Sequence, residues 1–299
     1  MYDIIIIGAG PAGLTAAIYA RRANKKVLVL EAKSYGGQII NANNVENYPG
    51  FVSISGFDLA TNMYNQAKEL GAEIKFETAI HIDKDKKVTT NKDTYEAKAI
   101  ILATGAENRK LNIPDEEDYV SKGISYCATC DGNFFKNKIV AVVGGGNTAL
   151  EDAIYLSNIA KKVYLIHRRD NFRGEARYLS EIKKKDNIEL ILNSNVTRLV
   201  GKNILEKIIV TDKDNNINEI EINGLFIAVG QSPKNEIFAN IIKINDYGYI
   251  ESDDGVHTNI EGIYVAGDNR VKVLRQLTTA VSDGSIAATT AIKEMRKDE

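Results

Sequence analysis

A chain of 299 residues is roughly two domains' worth, at about 100–200 residues each. Its 38 lysines and arginines against 40 aspartates and glutamates leave a formal charge of −2, too even for a protein built around a nucleic-acid backbone. A hydrophobic share of 44% with 26% charged residues argues against disorder and against a membrane bundle, and two cysteines, Cys127 and Cys130, are too few for a disulfide-stapled secreted scaffold.

The longest uncharged stretch, Ile4–Ala20, is 17 residues long, near the lower limit for a spanning helix. Gly8, Gly10, Pro11 and Gly13 interrupt it, and Asp3 stands where a signal peptide carries positive charge. A soluble, cytoplasmic chain with no membrane or nucleic-acid partner is expected.

From Asp3 to Glu31 an apolar run leads through a glycine-rich turn and a helical pattern into a second apolar run, Val27–Leu30. This predicts strand, turn, helix, strand. At an offset of 136 residues the pattern returns over Ile139–His167. Gly8, Gly10 and Leu14 map to Gly144, Gly146 and Leu150, and Ala17-Ile18-Tyr19 to Ala153-Ile154-Tyr155. The chain therefore holds two copies of one βαβ unit. Between them, Phe57, Ala60, Met63, Tyr64, Ala67 and Leu70 predict a helix over Phe57–Leu70, closed by Gly71. Three further apolar runs, Ala99–Ala103, Leu225–Val229 and Ile263–Ala266, each end at glycine within two residues. A last helix is expected from near Arg275. The polar segments Glu107–Tyr119 and Gln231–Asn235 read as crossings between domains. The fold expected is α/β, with two Rossmann-like dinucleotide-binding domains. Residues 1–108 and 235–299 form the FAD domain, and 109–234 the inserted NADPH domain.

Gly8-Ala9-Gly10-Pro11-Ala12-Gly13 lies between a predicted strand and a predicted helix. Its glycines permit a tight turn, close approach of a pyrophosphate and close helix–strand packing. Glu31 ends the second strand, where an acid accepts from a ribose hydroxyl. This copy reads as an FAD site. The second copy repeats the spacing with Gly144, Gly146, Asn147, Thr148 and Ala149. Where the first has Glu31, it has His167, Arg168 and Arg169, with Arg173 close behind. Arginines bind a 2′-phosphate that a carboxylate would repel, so this copy reads as an NADPH site. His167 reads as a packing or adenine-contact residue, and Arg177 as an accessory or a surface group.

Cys127 and Cys130 are separated by two residues and followed by Asp131. A zinc site lacks a second ligand pair, since the only histidines are His81, His167 and His257. As a staple, so short a loop contributes only about 2 kcal/mol. A redox dithiol remains. Asp131 has two readings, a helix cap or a proton donor to a thiolate or reduced flavin; thiol exchange needs a nearby proton source, which favours the second. No metal site is expected.

Taken together, the chain resembles the low-molecular-weight thioredoxin reductases, flavoproteins of the pyridine nucleotide–disulfide reductase class. The resemblance spans essentially the whole chain. It is carried by Gly8–Gly13, GGQI at Gly36–Ile39, VENYPGF at Val45–Phe51, ATGA at Ala103–Ala106 and SYCATCDG at Ser125–Gly132. GGGNTA at Gly144–Ala149, HRRDNFR at His167–Arg173, AGD at Ala266–Asp268 and RQLTTAVSDG at Arg275–Gly284 complete it. It implies FAD contacts from Gly37, Gln38, Asn47, Gly267, Asp268, Arg275 and Gln276, and a homodimer. It implies electron flow from NADPH through FAD and the cysteines to thioredoxin or a thioredoxin-like protein. Cys130 would be the flavin-side sulfur, Cys127 the one that attacks the partner, and Asp131 the proton source. It also implies a rotation of the NADPH domain about the two crossings. Asn147 and Gln231 depart from the residues the family often has there, aspartate and histidine. Ferredoxin-fed relatives and dithiol oxidases lack an intact NADPH fingerprint, which this chain has. A peroxiredoxin or a glutaredoxin-like protein is the alternative acceptor.

Overall fold

The structure, a computed structural model, describes residues 1–42, 44–254 and 256–296. The chain forms two compact units, Met1–Glu107 with Ser232–Glu299, and Asn108–Gln231. Both are Rossmann-like, the second inserted into the first.

The first unit begins with β1 (Tyr2–Ile7), α1 (Pro11–Arg22), β2 (Val27–Glu31), α2 (Gly56–Glu69), β3 (Glu73–Phe76), β4 (Ala79–Ile82), β5 (Lys87–Thr90) and β6 (Thr94–Leu102). Strand β1 lies between β2 and β6, parallel to both, with Ile6 opposite Val29 and Ile101. Side chains of a strand alternate between faces. Ile4 and Ile6 therefore enter one core with α1, while Ile5 and Ile7 enter another with Leu28 and Ile100. Both faces are covered, which is why the strand is an unbroken apolar run rather than an alternating one. Pro11 opens α1, where its missing N–H costs nothing. Helix α2 is capped by Ser55, whose Oγ accepts from the Asp58 N–H at 3.0 Å. It ends at Glu69, and Gly71 turns the chain at φ 88°. Leu59, Ala60, Met63 and Ala67 are its buried stripe. Phe57, expected on that stripe, falls at its edge and is 55% exposed.

After β7 (Ala106–Asn108) the second unit runs β8 (Ile124–Ser125), α3 (Ala128–Asp131), β9 (Ile139–Gly144), α4 (Asn147–Ser157), β10 (Lys162–Ile166), α5 (Ala176–Ile182) and β11 (Ile188–Ile191). It continues through β12 (Ser194–Gly201), β13 (Leu205–Asp212), β14 (Ile217–Glu221) and β15 (Gly224–Ala228), with β16 (Gln231–Pro233) following. The parallel sheet has the order β11-β10-β9-β15-β8. Its first four strands repeat the order β3-β2-β1-β6 of the first unit, so the duplication extends beyond the βαβ segment. Helices α3 and α4 cover one face through Ala128, Ala149, Ala153 and Leu156. The antiparallel ribbon β12-β13-β14 covers the other through Val196, Leu199 and Ile208.

The chain then returns to the first unit. Strand β17 (Ile263–Val265) pairs with β6, Ile263 opposite Ile100. Helix α6 (Leu277–Met295), capped by Gln276, packs on α1. The approach is so close that a Cβ on Gly284 would stand 2.1 Å from the Ala12 carbonyl oxygen. Among the described residues no helix is long and apolar enough to cross a membrane.

Candidate functional site: two glycine turns and a redox pair

The first glycine turn links β1 to α1. A Cβ on Gly8 would meet the Ala103 carbonyl oxygen at 2.3 Å, and one on Gly13 the Gly8 oxygen at 1.9 Å. Both positions require glycine for the fold alone. At Gly10 a Cβ would meet only the Gly37 Cα, at 3.8 Å. Among the described residues nothing else fills that space, which leaves room for a pyrophosphate to approach the backbone. The Gly36 N–H donates to the Ala9 carbonyl at 2.8 Å, which brings Gly37 and Gln38 to the turn. Glu31 accepts from the N–H groups of Ala9 and Lys33, both at 2.8 Å. Its position beside the turn is thus held by the backbone.

Segments far apart in sequence converge on the same unit. The Asn47 amide donates to Gln276 Oε1 at 3.2 Å across 229 residues. Gly267 lies against Ala12, and its N–H donates to Asp283 at 3.0 Å. Arg275 donates from Nε to the Asp268 carbonyl at 3.3 Å and lies over the Tyr249 ring at 4.0 Å. Burial raises the Asp268 carboxyl above its ordinary range, with Lys272 and Arg275 pulling it back. Among the described residues Asp268 Oδ1 is buried with no hydrogen-bond partner. An orphaned acceptor of this kind calls for a donor, which a hydroxyl of bound FAD would supply. Together with the space at Gly10, it shows that the residues present fit the cofactor.

The second turn reproduces the first. A Cβ on Gly144 would meet the Ala228 oxygen at 2.3 Å, the same contact that Gly8 makes with Ala103. A Cβ on Gly146 would meet nothing within 4 Å. Ala149 is buried beneath Gly144, so the third position tolerates a methyl group here. Thr148 is exposed on the first turn of α4. His167 is 5% exposed and packs flat against Gly145 and Phe172, with Nε2 3.2 Å from the Asn171 oxygen. Burial lowers its pKa, helped by Arg173, Arg168 and Arg169. The three arginines are exposed, and among the described residues none is ion-paired. Arg177 differs, since it pairs with Glu175 at 2.8 Å.

Cys127 and Cys130 are joined as a disulfide at the start of α3. Cys130 is exposed and Cys127 is half-buried. The Cys130 N–H donates to Cys127 Sγ at 3.2 Å. Asp131 closes the four-residue helix rather than opening it, so its side chain is no N-cap for α3. Instead it meets the Ser125 hydroxyl at 2.6 Å. Burial raises its carboxyl above the ordinary range, and the Ser125 bond pulls the other way. Ser125 also accepts from the Cys127 N–H at 3.0 Å. One buried serine thus ties the Asp131 carboxyl to the cysteine backbone. Reading the sequence did not single out Ser125; its presence at the end of a two-residue strand carries no signal by itself. Gln231, one of the two departures, donates to Asn108 at 3.0 Å within the second unit. Among the described residues no three His, Cys, Asp or Glu side chains are grouped to hold a metal ion.

Comparison with known proteins agrees with this geometry. The profile of the pyridine nucleotide-disulphide oxidoreductases matches residues 2–284. The chain is 46% identical over 296 residues to a 34.2 kDa protein in the rubredoxin operon of Clostridium pasteurianum, covering 97% of this chain and 96% of that one. It is 44% identical over 298 residues to thioredoxin reductase of Listeria monocytogenes, covering 98% and 93%. The crystal structure of thioredoxin reductase from Streptococcus pyogenes superposes with a TM-score of 0.95 at 41% identity, covering 99% of each chain. The chain therefore belongs to the pyridine nucleotide-disulphide oxidoreductases, and among them to the thioredoxin reductases.

Proposed function

We propose that the chain is an NADPH-dependent flavoprotein disulfide reductase, with thioredoxin or a thioredoxin-like protein as its electron acceptor. One observation carries the reading: a disulfide-bonded cysteine pair with a half-buried acid at its side lies in the unit that also holds the second glycine turn and arginines that are, among the described residues, without an ion-pair partner. The names of the Listeria and Streptococcus relatives support the acceptor. The reaction belongs to the cytoplasm, where protein disulfides are kept reduced, and to a homodimer as in the family.

The unit Met1–Glu107 with Ser232–Glu299 is the FAD domain. Gly8 to Gly13, Glu31, Gly37, Gln38, Asn47, Gly267, Asp268, Arg275 and Gln276 hold the cofactor. In Asn108–Gln231, Gly144, Gly146, Asn147, Thr148 and Ala149 receive the pyrophosphate of NADPH, and Arg168, Arg169 and Arg173 its 2′-phosphate. His167 supports the turn from beneath through Gly145. Bound FAD supplies the two-electron carrier between nicotinamide and disulfide.

The residues of the chain then handle sulfur and protons. Reduction opens the Cys127–Cys130 bond and takes up two electrons and two protons. Asp131, whose carboxyl is raised above its ordinary range by burial, donates a proton to a departing thiolate. The Cys130 N–H stabilises negative charge on Cys127 Sγ, which favours Cys127 as the attacking thiolate. Its attack on the partner's disulfide forms a mixed disulfide. Cys130 displaces the partner as a dithiol and restores the Cys127–Cys130 bond. Anaerobic titration with NADPH and NADH while following flavin absorbance tests the reading. Rapid bleaching by NADPH and slow bleaching by NADH are expected; no bleaching by NADPH would remove it.

A further inference from the structure

The loop from β10 to α5 carries Arg168, Arg169 and Arg173, whose long side chains are exposed and, among the described residues, unpaired. Such side chains discriminate between ligands only when the backbone beneath them is fixed. Two attachments fix it. At the first, the N–H groups of Arg173 and Gly174 donate to the Gly145 carbonyl, at 2.7 and 3.2 Å. At the second, Asn147 and Glu175 bond in both directions. Asn147 Oδ1 accepts from the Glu175 N–H at 2.8 Å, and Asn147 Nδ2 donates to Glu175 Oε1 at 2.9 Å. The other Glu175 oxygen holds Arg177 at 2.8 Å. Arg177 donates to the Tyr178 hydroxyl, also at 2.8 Å, and that hydroxyl donates to Glu151. Asn147 and Glu151 are four apart on α4 and share a face. A chain of hydrogen bonds, anchored at both ends on α4, therefore joins the first turn of α4 to the start of α5. It spends Arg177 on structure and leaves the other three arginines available.

An amide both accepts and donates, whereas a carboxylate only accepts. Aspartate at position 147 would keep the bond to the Glu175 N–H but set its other oxygen against the Glu175 carboxylate. We propose that Asn147 is a positioning residue for nucleotide choice, its clasp on Glu175 holding the arginine loop in the position that selects a 2′-phosphate. The proposal rests on reading these arginines as the 2′-phosphate site.

The test is the binding of NADP⁺ and NAD⁺ to the purified full chain by calorimetry, which requires no turnover. For N147D, lost hydrogen bonding plus like-charge contact at an exposed site predicts about a three- to tenfold weaker NADP⁺ affinity. NAD⁺ shares the pyrophosphate site at Asn147 but not the loop's 2′-phosphate contacts, so its affinity falls less and the NADP⁺ to NAD⁺ preference drops. In N147D/E175Q the glutamine amide donates to the introduced carboxylate, and the NADP⁺ to NAD⁺ preference returns to within about twofold of the native value. Equal loss of both nucleotides, no loss, or failure of E175Q to rescue would overturn the proposal. A double R169A/R173A variant separates the two levels of the argument. If it keeps the NADP⁺ preference, the arginine reading itself is wrong and the clasp has nothing to position.

Discussion

Replacing Ser125 by alanine should change how the cysteine pair depends on pH. Ser125 Oγ lies 2.6 Å from Asp131 Oδ2, and the carboxyl beside it is already raised by burial. A hydrogen bond to a charged group contributes about 1.5–3 kcal/mol. The serine bond favours the charged carboxylate, so its loss raises the Asp131 pKa further. At about 1.4 kcal/mol per tenfold change in protonation, the pH limb governed by Asp131 moves toward alkaline by about one to two pH units. The substitution deletes one oxygen from a residue that is 5% exposed, so the fold has little cause to rearrange. The assay is the pH profile of turnover from pH 5 to 10 with a small aromatic disulfide as acceptor, compared with Asp131→Asn, which should lose the limb. If Ser125→Ala keeps the native profile while remaining folded, Asp131 is not the group that handles the proton.

Two other perturbations separate stability from chemistry. Asp152 on α4 is half-buried, and desolvation there, with Glu151 beside it, pushes its pKa up to about 7. A folded-state pKa above the unfolded value of about 3.9 means that stability is full below that value and is lost as pH rises through about 7. Asp152→Asn should therefore be more stable than the native chain at pH 8, by on the order of 2–4 kcal/mol, and should lose that advantage near pH 4; a urea-unfolding difference independent of pH would contradict this. In Cys130→Ser, Cys127 should form a lasting mixed disulfide with a thioredoxin that keeps only one active-site cysteine, carried as an aryl disulfide, because the aryl thiol it displaces diffuses away. If Cys127→Ser forms it instead, as the greater exposure of Cys130 would allow, the roles of the two sulfurs are reversed.

Particular residues show what could be read from the chain and what could not. The alternation of Ile4, Ile5, Ile6 and Ile7 between two cores follows from strand geometry once both faces are covered. Gly8 and Gly144 were legible because each stands a fixed number of residues from the next glycine, and the structure gives both the same carbonyl contact, with Ala103 and Ala228. Local spacing carries such features. Contacts between distant segments leave no spacing to read. Ser125 meets Asp131 six residues on, a separation that neither a helix period nor a strand period marks. Glu175 meets Asn147 across 28 residues, and Asn47 meets Gln276 across 229. Phe57 shows the opposite error, a hydrophobic residue at helical spacing that the helix leaves outside.

The central claim is that the flavin and the cysteine pair form one electron path fed by NADPH. Counting electrons tests it most directly. An oxidised flavin and a disulfide each accept two electrons, so anaerobic titration of the native chain should consume four per chain. The Cys127→Ser, Cys130→Ser double variant should consume two and still bleach its flavin with NADPH. A native chain that also stops at two electrons, its Cys127–Cys130 bond intact by thiol labelling, would contradict the account.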